Sequence, residues 1–459
     1  MTIPSLTFRQ PQYGASPPSV VSTAPARIPW GFAEVFVISQ TALPALLYLP
    51  GTQPLRQSIR VAAFVISLAA YGWWALHPVL RRPAAKTNAW IVAIMVLLGV
   101  MIFHPGTPSP YGGFAHAMLY FAVMAPFFWA PAFVRTPEHL ARLLGILLIC
   151  SGVNSVVGVL QVYDPATFMP AELSRIITES AIGLGPVTYE GPGGRLIVRP
   201  PGLFDTPGAV SGPAMVAALL GVVFGLSTLP VVYRLGCFAL SGAGIAAIYL
   251  TQVRISFVMT MLMFVAYAFV LMRQRRASKA TTIFILGGVL GAGAFALAFT
   301  LGGQSISERF ATLFAGDPLR VYYDARGIQL SKGLDETLYD YPLGAGLARW
   351  GMAAAYYGSR TGGLWAEIQI TGWLIDGGVL MLALYAGALI ILARSQYRLS
   401  RLTQYPRIAA CAAVVFALTL GPIAMCMTFT PFVTQIGIQF WFLAGALHGV
   451  ACTARLQDA

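Results

Sequence analysis

The stretch Cys237-Phe-Ala-Leu-Ser-Gly-Ala-Gly-Ile-Ala-Ala-Ile-Tyr-Leu250-Thr-Gln-Val-Arg254-Ile-Ser-Phe-Val-Met-Thr-Met-Leu-Met-Phe-Val-Ala-Tyr-Ala-Phe-Val-Leu-Met272 decides how this chain folds. Arg254 is the only charge between two long apolar runs, 237–250 and 255–272. About 20 apolar residues in helix cross a bilayer. The stretch therefore predicts two membrane helices, 233–252 and 254–273, meeting at a turn that carries an arginine. An arginine there costs roughly 2.5–3.5 kcal/mol on insertion scales unless it reaches water or a partner. It serves packing, a water-filled cavity or an anionic ligand.

The rest of the chain repeats the apolar pattern. Of 459 residues, 57% are hydrophobic and 10% charged, against about 25% charged in soluble domains. An all-α polytopic membrane protein is predicted. Further spans at 31–50, 59–80, 89–104, 112–134, 140–163, 208–230, 280–301, 366–393, 407–430 and 432–452 bring the expected number to about twelve. The net charge of +13 would suggest nucleic acid in a soluble protein. Here it fits basic cytoplasmic loops and a basic site for an anionic substrate, and no nucleic acid is expected as a partner. Cys150, Cys237, Cys411, Cys426 and Cys452 lie in or at the ends of apolar runs without metal-ligand spacing. Neither a disulfide framework nor a metal site is expected. Residues 1–28, rich in Pro, Ser and Ala, read as a disordered cytoplasmic tail rather than a signal peptide. Residues 29–459 read as one transmembrane domain.

With the N-terminus in the cytoplasm, the basic connections fall on one side. They hold Arg81, Arg82 and Lys86; Arg135 and Arg142; Arg234; Arg273, Arg275, Arg276 and Lys279; and Arg394, Arg398, Arg401 and Arg407. Both termini come out cytoplasmic. Arg56 and Arg60 depart from the pattern. Two outer segments are long, 164–207 and, between spans nine and ten, 302–364. Long loops in compact proteins are usually functional. The second carries helix-like polar stretches such as 318–339 and reads as a structured, partly helical lid. No internal repeat is obvious, unlike many secondary transporters.

Four pieces can carry chemistry. The first is Arg195-Leu-Ile-Val-Arg199-Pro-Pro-Gly-Leu-Phe-Asp205-Thr-Pro-Gly. Arg199 precedes two prolines and is expected to be extended, with a turn aiming its guanidinium inward; the alternative is an interfacial anchor. The second is Arg254, on the same outer side, with snorkelling to headgroups as its alternative. Arginine forks match phosphate oxygens in two-point hydrogen bonds, and two or three converging would suit a diphosphate. The third is the outer loop, with Arg309, Asp317, Arg320, Tyr322, Tyr323, Asp324 and Arg326, where aromatic rings and carboxylates suit sugars; the alternative is a solvated face. The fourth is Leu364-Trp-Ala-Glu367-Ile-Gln-Ile-Thr-Gly-Trp-Leu-Ile-Asp376-Gly-Gly. On one continuous helix, nine residues at 100° put Glu367 and Asp376 on opposite faces, with Asp376 about 13 Å deeper. Glu367 suits the outer mouth, and Asp376 suits an internal tie between helices.

In this order, these pieces resemble the O-antigen ligase and polysaccharide polymerase superfamily. Its Arg-x-x-Gly-x-Phe segment is matched by Arg199-Pro-Pro-Gly202-Leu-Phe204. Its Thr-x-x-Arg-like turn is matched by Thr251-Gln-Val-Arg254. Its Pro-Leu-x-Gly-x-Gly segment is matched, one residue shorter, by Pro342-Leu-Gly-Ala-Gly346. The resemblance covers most of the chain from about residue 140. The family has a histidine where this chain has Glu367. The resemblance implies an all-helical glycosyltransferase membrane domain, a polyprenyl-diphosphate-linked glycan donor, and no cofactor or essential metal.

The resulting expectation is a polysaccharide polymerase of the bacterial inner membrane with its site facing the periplasm. It would join lipid-linked repeat units of an exopolysaccharide, capsule or O-antigen. Arg199 and Arg254 are expected to hold the diphosphate, with Arg326 or Arg320 from the loop. Glu367 is expected to act as base, with Arg254 also catalytic. Tyr322, Tyr323, Asp324 and Trp365 are expected to face sugar. A flippase and chain-length-control proteins are candidate partners beside membrane lipids. Two alternatives stay open: a ligase moving lipid-linked glycan to lipid A core or protein, and a transporter or flippase of lipid-linked sugars.

Overall fold

The computed structural model describes residues 29–174, 178, 183–313, 317–357 and 363–454. The expected tail, 1–28, lies outside the described residues. The chain divides into two units, Met1–Trp30, of which Pro29 and Trp30 are described, and Gly31–Ala459, which holds every element named below. The protein is 76% helical with almost no sheet, as an all-α membrane protein requires. In chain order the main helices are α1 (Phe32–Ala45), α2 (Arg56–Leu76), α3 (Lys86–Met101), α4 (Pro110–Met124), α5 (Pro126–Phe133), α6 (Pro137–Tyr163), α7 (Ser211–Gly225), α8 (Val231–Thr251), α9 (Arg254–Arg273), α10 (Ala277–Gly302), α11 (Gln304–Ala311), α12 (Gln369–Ser400), α13 (Pro406–Met425) and α14 (Gln435–Thr453). Among the described residues nine helices, counting α4–α5 as one run, are long and apolar enough to cross a membrane. Three shorter apolar helices, Phe32–Tyr48, Lys86–Met101 and Ser211–Gly225, stand beside them.

Local sequence explains the starts and contacts of these helices. Proline opens α4, α5, α6 and α13, where its missing N–H costs nothing and its fixed φ suits the first turn. Ser109 and Thr136 cap α4 and α6, accepting from Gly112 N–H at 3.0 Å and His139 N–H at 3.2 Å. Small residues let backbones approach, as between membrane helices generally. A Cβ at Gly244 of α8 would stand 2.7 Å from the Ala214 carbonyl of α7.

The connections sort to two ends of the bundle. At the basic end, Glu34 of α1 meets Arg142 and, at 2.9 Å, His139 of α6. There too Gln274 donates to the Ser400 carbonyl at 2.6 Å, and His448 meets the Pro83 carbonyl at 2.9 Å. At the loop end the segment 164–207 folds a short antiparallel hairpin, β1 (Thr188–Glu190) with β2 (Leu196–Val198), in which Tyr189 faces Ile197. Three-residue strands carry too little alternation to be read from sequence. The second long segment is helical over 318–340, as expected, but includes two π-helical turns, Tyr323–Gly327 and Gly333–Thr337.

The start of α12 corrects the sequence reading. The helix begins at Gln369, and Ile368 before it is extended (φ −115°, ψ 146°). Glu367 precedes the helix, as does Trp365, so the opposite-face argument for Glu367 and Asp376 does not apply. The helix then breaks at Gly377 (φ −162°, ψ 21°) and Gly378 (φ 62°, ψ −153°). The segment Pro342-Leu-Gly-Ala-Gly346 fills the break: Val379 N–H donates to the Pro342 carbonyl at 3.1 Å, and Ala345 N–H donates to the Ile375 carbonyl at 2.7 Å. Irregular backbone at such depth survives only where protein satisfies it. Asp376, fully buried, accepts from Tyr120 Oη at 2.7 Å and Trp350 Nε1 at 2.9 Å. A further neighbour is His116, whose Nδ1 accepts from Ala348 N–H at 2.9 Å. Asp376 is thus the internal tie that its buried position suggested.

Candidate anion-binding site

The site starts at the turn between α8 and α9. Gln252 adopts a left-handed conformation (φ 54°), a strained choice for a residue other than glycine. The reversal it makes puts Arg254 at the first position of α9. Gln252 Nε2 donates to Ser305 Oγ at 3.4 Å, and Ser305 Oγ donates to the Glu190 carbonyl at 2.7 Å. The turn, α11 and the hairpin are thereby fastened together. Arg254 Nη1 donates to Thr312 Oγ1 at 2.7 Å, and Thr312 Oγ1 donates to the Arg309 carbonyl at 2.7 Å.

Arg199 comes from the other side. Its N–H donates to the Val187 carbonyl at 2.9 Å, and its carbonyl accepts from Gly208 N–H at 3.2 Å. The intervening loop turns at Gly202 (φ 67°) and Gly208 (φ 81°), backbone states that glycine alone adopts freely. Gln161 grips Gly202 on both sides, donating to its carbonyl and accepting its N–H, each at 2.8 Å. Tyr48 Oη donates to the same carbonyl at 2.7 Å, and Asn154 accepts from Leu203 N–H at 2.9 Å. A Cβ at Gly208 would lie 3.6 Å from Val253 Cγ2 and 4.0 Å from Arg199 Cβ. Arg199 therefore sits beside the α8–α9 turn.

A third arginine completes the group. Burial holds the Arg309 guanidinium below its ordinary pKa, and the positive charges of Arg254 and Arg199 push it further down. Burial also lowers Arg199, with the neighbouring Tyr189 phenol opposing it. Burial pushes the Tyr189 hydroxyl up, while Arg195 and Arg199 pull it down. Arg199 Nε, Arg309 Nε and Tyr189 Oη are buried without a hydrogen-bond partner among the described residues. No carboxylate among those residues pairs with Arg199, Arg254 or Arg309. Three cations crowd together with donor capacity unspent, an arrangement that an anion would relieve. The Arg199–Gly208 loop also supplies Phe204 to a small apolar pocket lined by Met215, Met263, Pro422, Ile436 and Phe440.

The other predicted residues divide from this basin. Arg326, in the first π-helical turn, pairs with Glu367; burial lowers the Arg326 pKa. Tyr322 Oη donates to the Met427 carbonyl at 3.0 Å, tying the loop helix to the α13–α14 connection. Arg320 and Asp324 are exposed and face one another at 4.0 Å, a loose surface pair of little energetic weight. Tyr323 is exposed and meets Ser331 Oγ at 3.4 Å; Trp365 is exposed too. No hydrogen bond or ion pair joins the Arg326–Glu367 pair to the three-arginine basin among the described residues. From sequence Arg309 stood only among the outer-loop residues, with no share in the diphosphate site, and Tyr189 had no role. The usable signal was Arg309-x-x-Thr312 at helical spacing, but its meaning depends on α11 folding back over the α8–α9 turn. Among the described residues no group of three or more His, Cys, Asp or Glu stands together. A scan against protein-family models finds no match to the chain, and a search of curated proteins finds none either.

Proposed function

We propose that this chain is a polysaccharide polymerase of the bacterial inner membrane. It joins oligosaccharide repeat units carried on a polyprenyl diphosphate, at the periplasmic face, with all twelve apolar helices crossing and both termini in the cytoplasm. The observation that carries the reading is the basin of Arg199, Arg254 and Arg309, with no carboxylate paired to any of them among the described residues. Such a basin suits a ligand with an anionic head such as a diphosphate. The order of motifs from Arg199 to Glu367, which resembles the polymerase and ligase superfamily, supplies the reaction class.

In this reading the acceptor hydroxyl oxygen attacks the anomeric carbon of the donor. The carbon–oxygen bond to the diphosphate breaks, and its electron pair passes to the diphosphate. The three guanidiniums stabilise the charge that grows there. Glu367 takes the hydroxyl proton, which requires Arg326 to release the oxygen it holds. The break in α12 is the feature a transporter would share, but the chain's own 342–346 segment fills it.

Deletion of the chain in its host should leave acceptors capped with single repeats, and Arg254→Ala should reproduce that phenotype with normal membrane levels of protein. Bare acceptor with accumulated lipid-linked polymer would assign a ligase instead. An unchanged surface glycan would remove both enzyme readings.

A further inference from the structure

Arg56 and Arg60 are basic residues at the loop end, where the charge pattern along the chain predicts few. Both face one carboxylate. Arg60 Nη2 lies 2.7 Å from each oxygen of Asp205, and Arg56 Nε lies 3.1 Å from Oδ2. Arg56 also donates to the carbonyls of Leu173 at 2.8 Å and Glu172 at 3.1 Å. The Asp205 carbonyl accepts from Ser174 N–H at 2.9 Å. The Asp205 side chain is 4% exposed. Spaced four residues apart, the two arginines share one face of α2.

Asp205 stands six residues after Arg199 in a loop whose ends are joined by the Gly208–Arg199 hydrogen bond. It is the carboxylate nearest to Arg199 along the chain. It is occupied elsewhere: Thr206 Oγ1 donates to Oδ1 at 3.3 Å, and the two α2 arginines take the rest. Arg199 keeps a buried Nε without partner among the described residues. We propose that Arg56 and Arg60 are positioning residues that sequester Asp205, so that Arg199 stays available to the anionic ligand. The clamp acts through charge withheld from the site as well as through the shape of the loop. It rests on the basin being an anion site.

The test measures binding of farnesyl diphosphate to the purified full chain in detergent, by calorimetry. Arg60→Met frees Asp205 oxygens and should weaken binding at least ten-fold. Arg60→Met combined with Asp205→Asn removes the competing charge and should restore affinity to within about three-fold of the unmodified chain. Arg60→Lys, which keeps the pairing charge, should bind nearly as the unmodified chain does. A clamp that only shapes the loop makes the opposite forecast, since loss of both partners would loosen it further. Unchanged binding in Arg60→Met, or a double variant no better than the single, overturns the proposal while leaving the anion site standing. Failure of the unmodified chain to bind the probe overturns both. Should Arg60→Met fail to reach the membrane, Arg56→Met frees Oδ2 and carries the same expectations.

Discussion

Arg309 stands between two other guanidiniums, and its neighbours and its burial both disfavour its charge. An arginine tolerates this because its ordinary pKa lies above 12. A lysine would start near 10.4 and be driven down by the same two causes. In Arg309→Lys, farnesyl diphosphate binding should therefore fall as pH rises through that depressed value, with full binding below it. The unmodified chain should show a flat profile between about pH 7 and 10 by calorimetry. Removing the charge altogether, in Arg309→Ala, should cost about 1.5–3 kcal/mol of ligand binding, the range for a hydrogen bond to a charged group, or roughly ten- to hundred-fold. Glu367 is tested separately: Glu367→Gln should abolish most turnover in lipid-reconstituted protein while keeping donor binding, and near-normal turnover would exclude it as an essential base. Arg254 could be singled out from sequence because it sits between two apolar runs, where a charge is costly, and Arg199 because two prolines follow it in a turn just before a span. Arg309 could be named only as one of several loop residues, since in a polar loop an arginine is ordinary until the fold gives it neighbours.

At the scale of the element, α12 carries the least regular backbone of the bundle. Gly378 occupies a region of φ and ψ essentially reserved for glycine, and a Cβ there would also stand 2.7 Å from Gly344 N. Gly378→Ala should lower the thermal unfolding midpoint in detergent, by strain of at least about 1–3 kcal/mol. Asp376→Leu should be as damaging, because Tyr120 Oη and Trp350 Nε1 would lose a buried acceptor at about 1–3 kcal/mol each. Asp376→Asn, which keeps an acceptor oxygen, should cost less. The existence of α12 was legible from its apolar length. Its true start and its break were not: Gly-Gly after Asp376 marks a weak point in any helix, but only the docked 342–346 segment shows that the weakness is used. Likewise Asp376 reads as internal from its depth, whereas its partners Tyr120 and His116, some 250 residues away in sequence, have no sequence signature of pairing.

For the whole molecule, the alternation of charged connections between two ends of the bundle was readable because each loop's charge is local information. Arg56 and Arg60 broke the pattern for a reason that is not local, namely a carboxylate on the distant 199–208 loop. A cysteine placed at Ser331 should react with a membrane-impermeant maleimide in intact spheroplasts; labelling only after the membrane is breached would invert the topology and move the arginine basin to the wrong compartment. The filled break in α12 also constrains engineering. The loop between α10 and α12 is not a detachable module, because its 342–350 portion forms part of the wall that completes α12 and surrounds Asp376. A chimera that exchanges specificity loops by cutting at the visible helix ends, near 303 and 368, would separate the filler from the break it was shaped to fit. A graft extended through residue 380, and matched at Tyr120 and His116, would carry lock and key together.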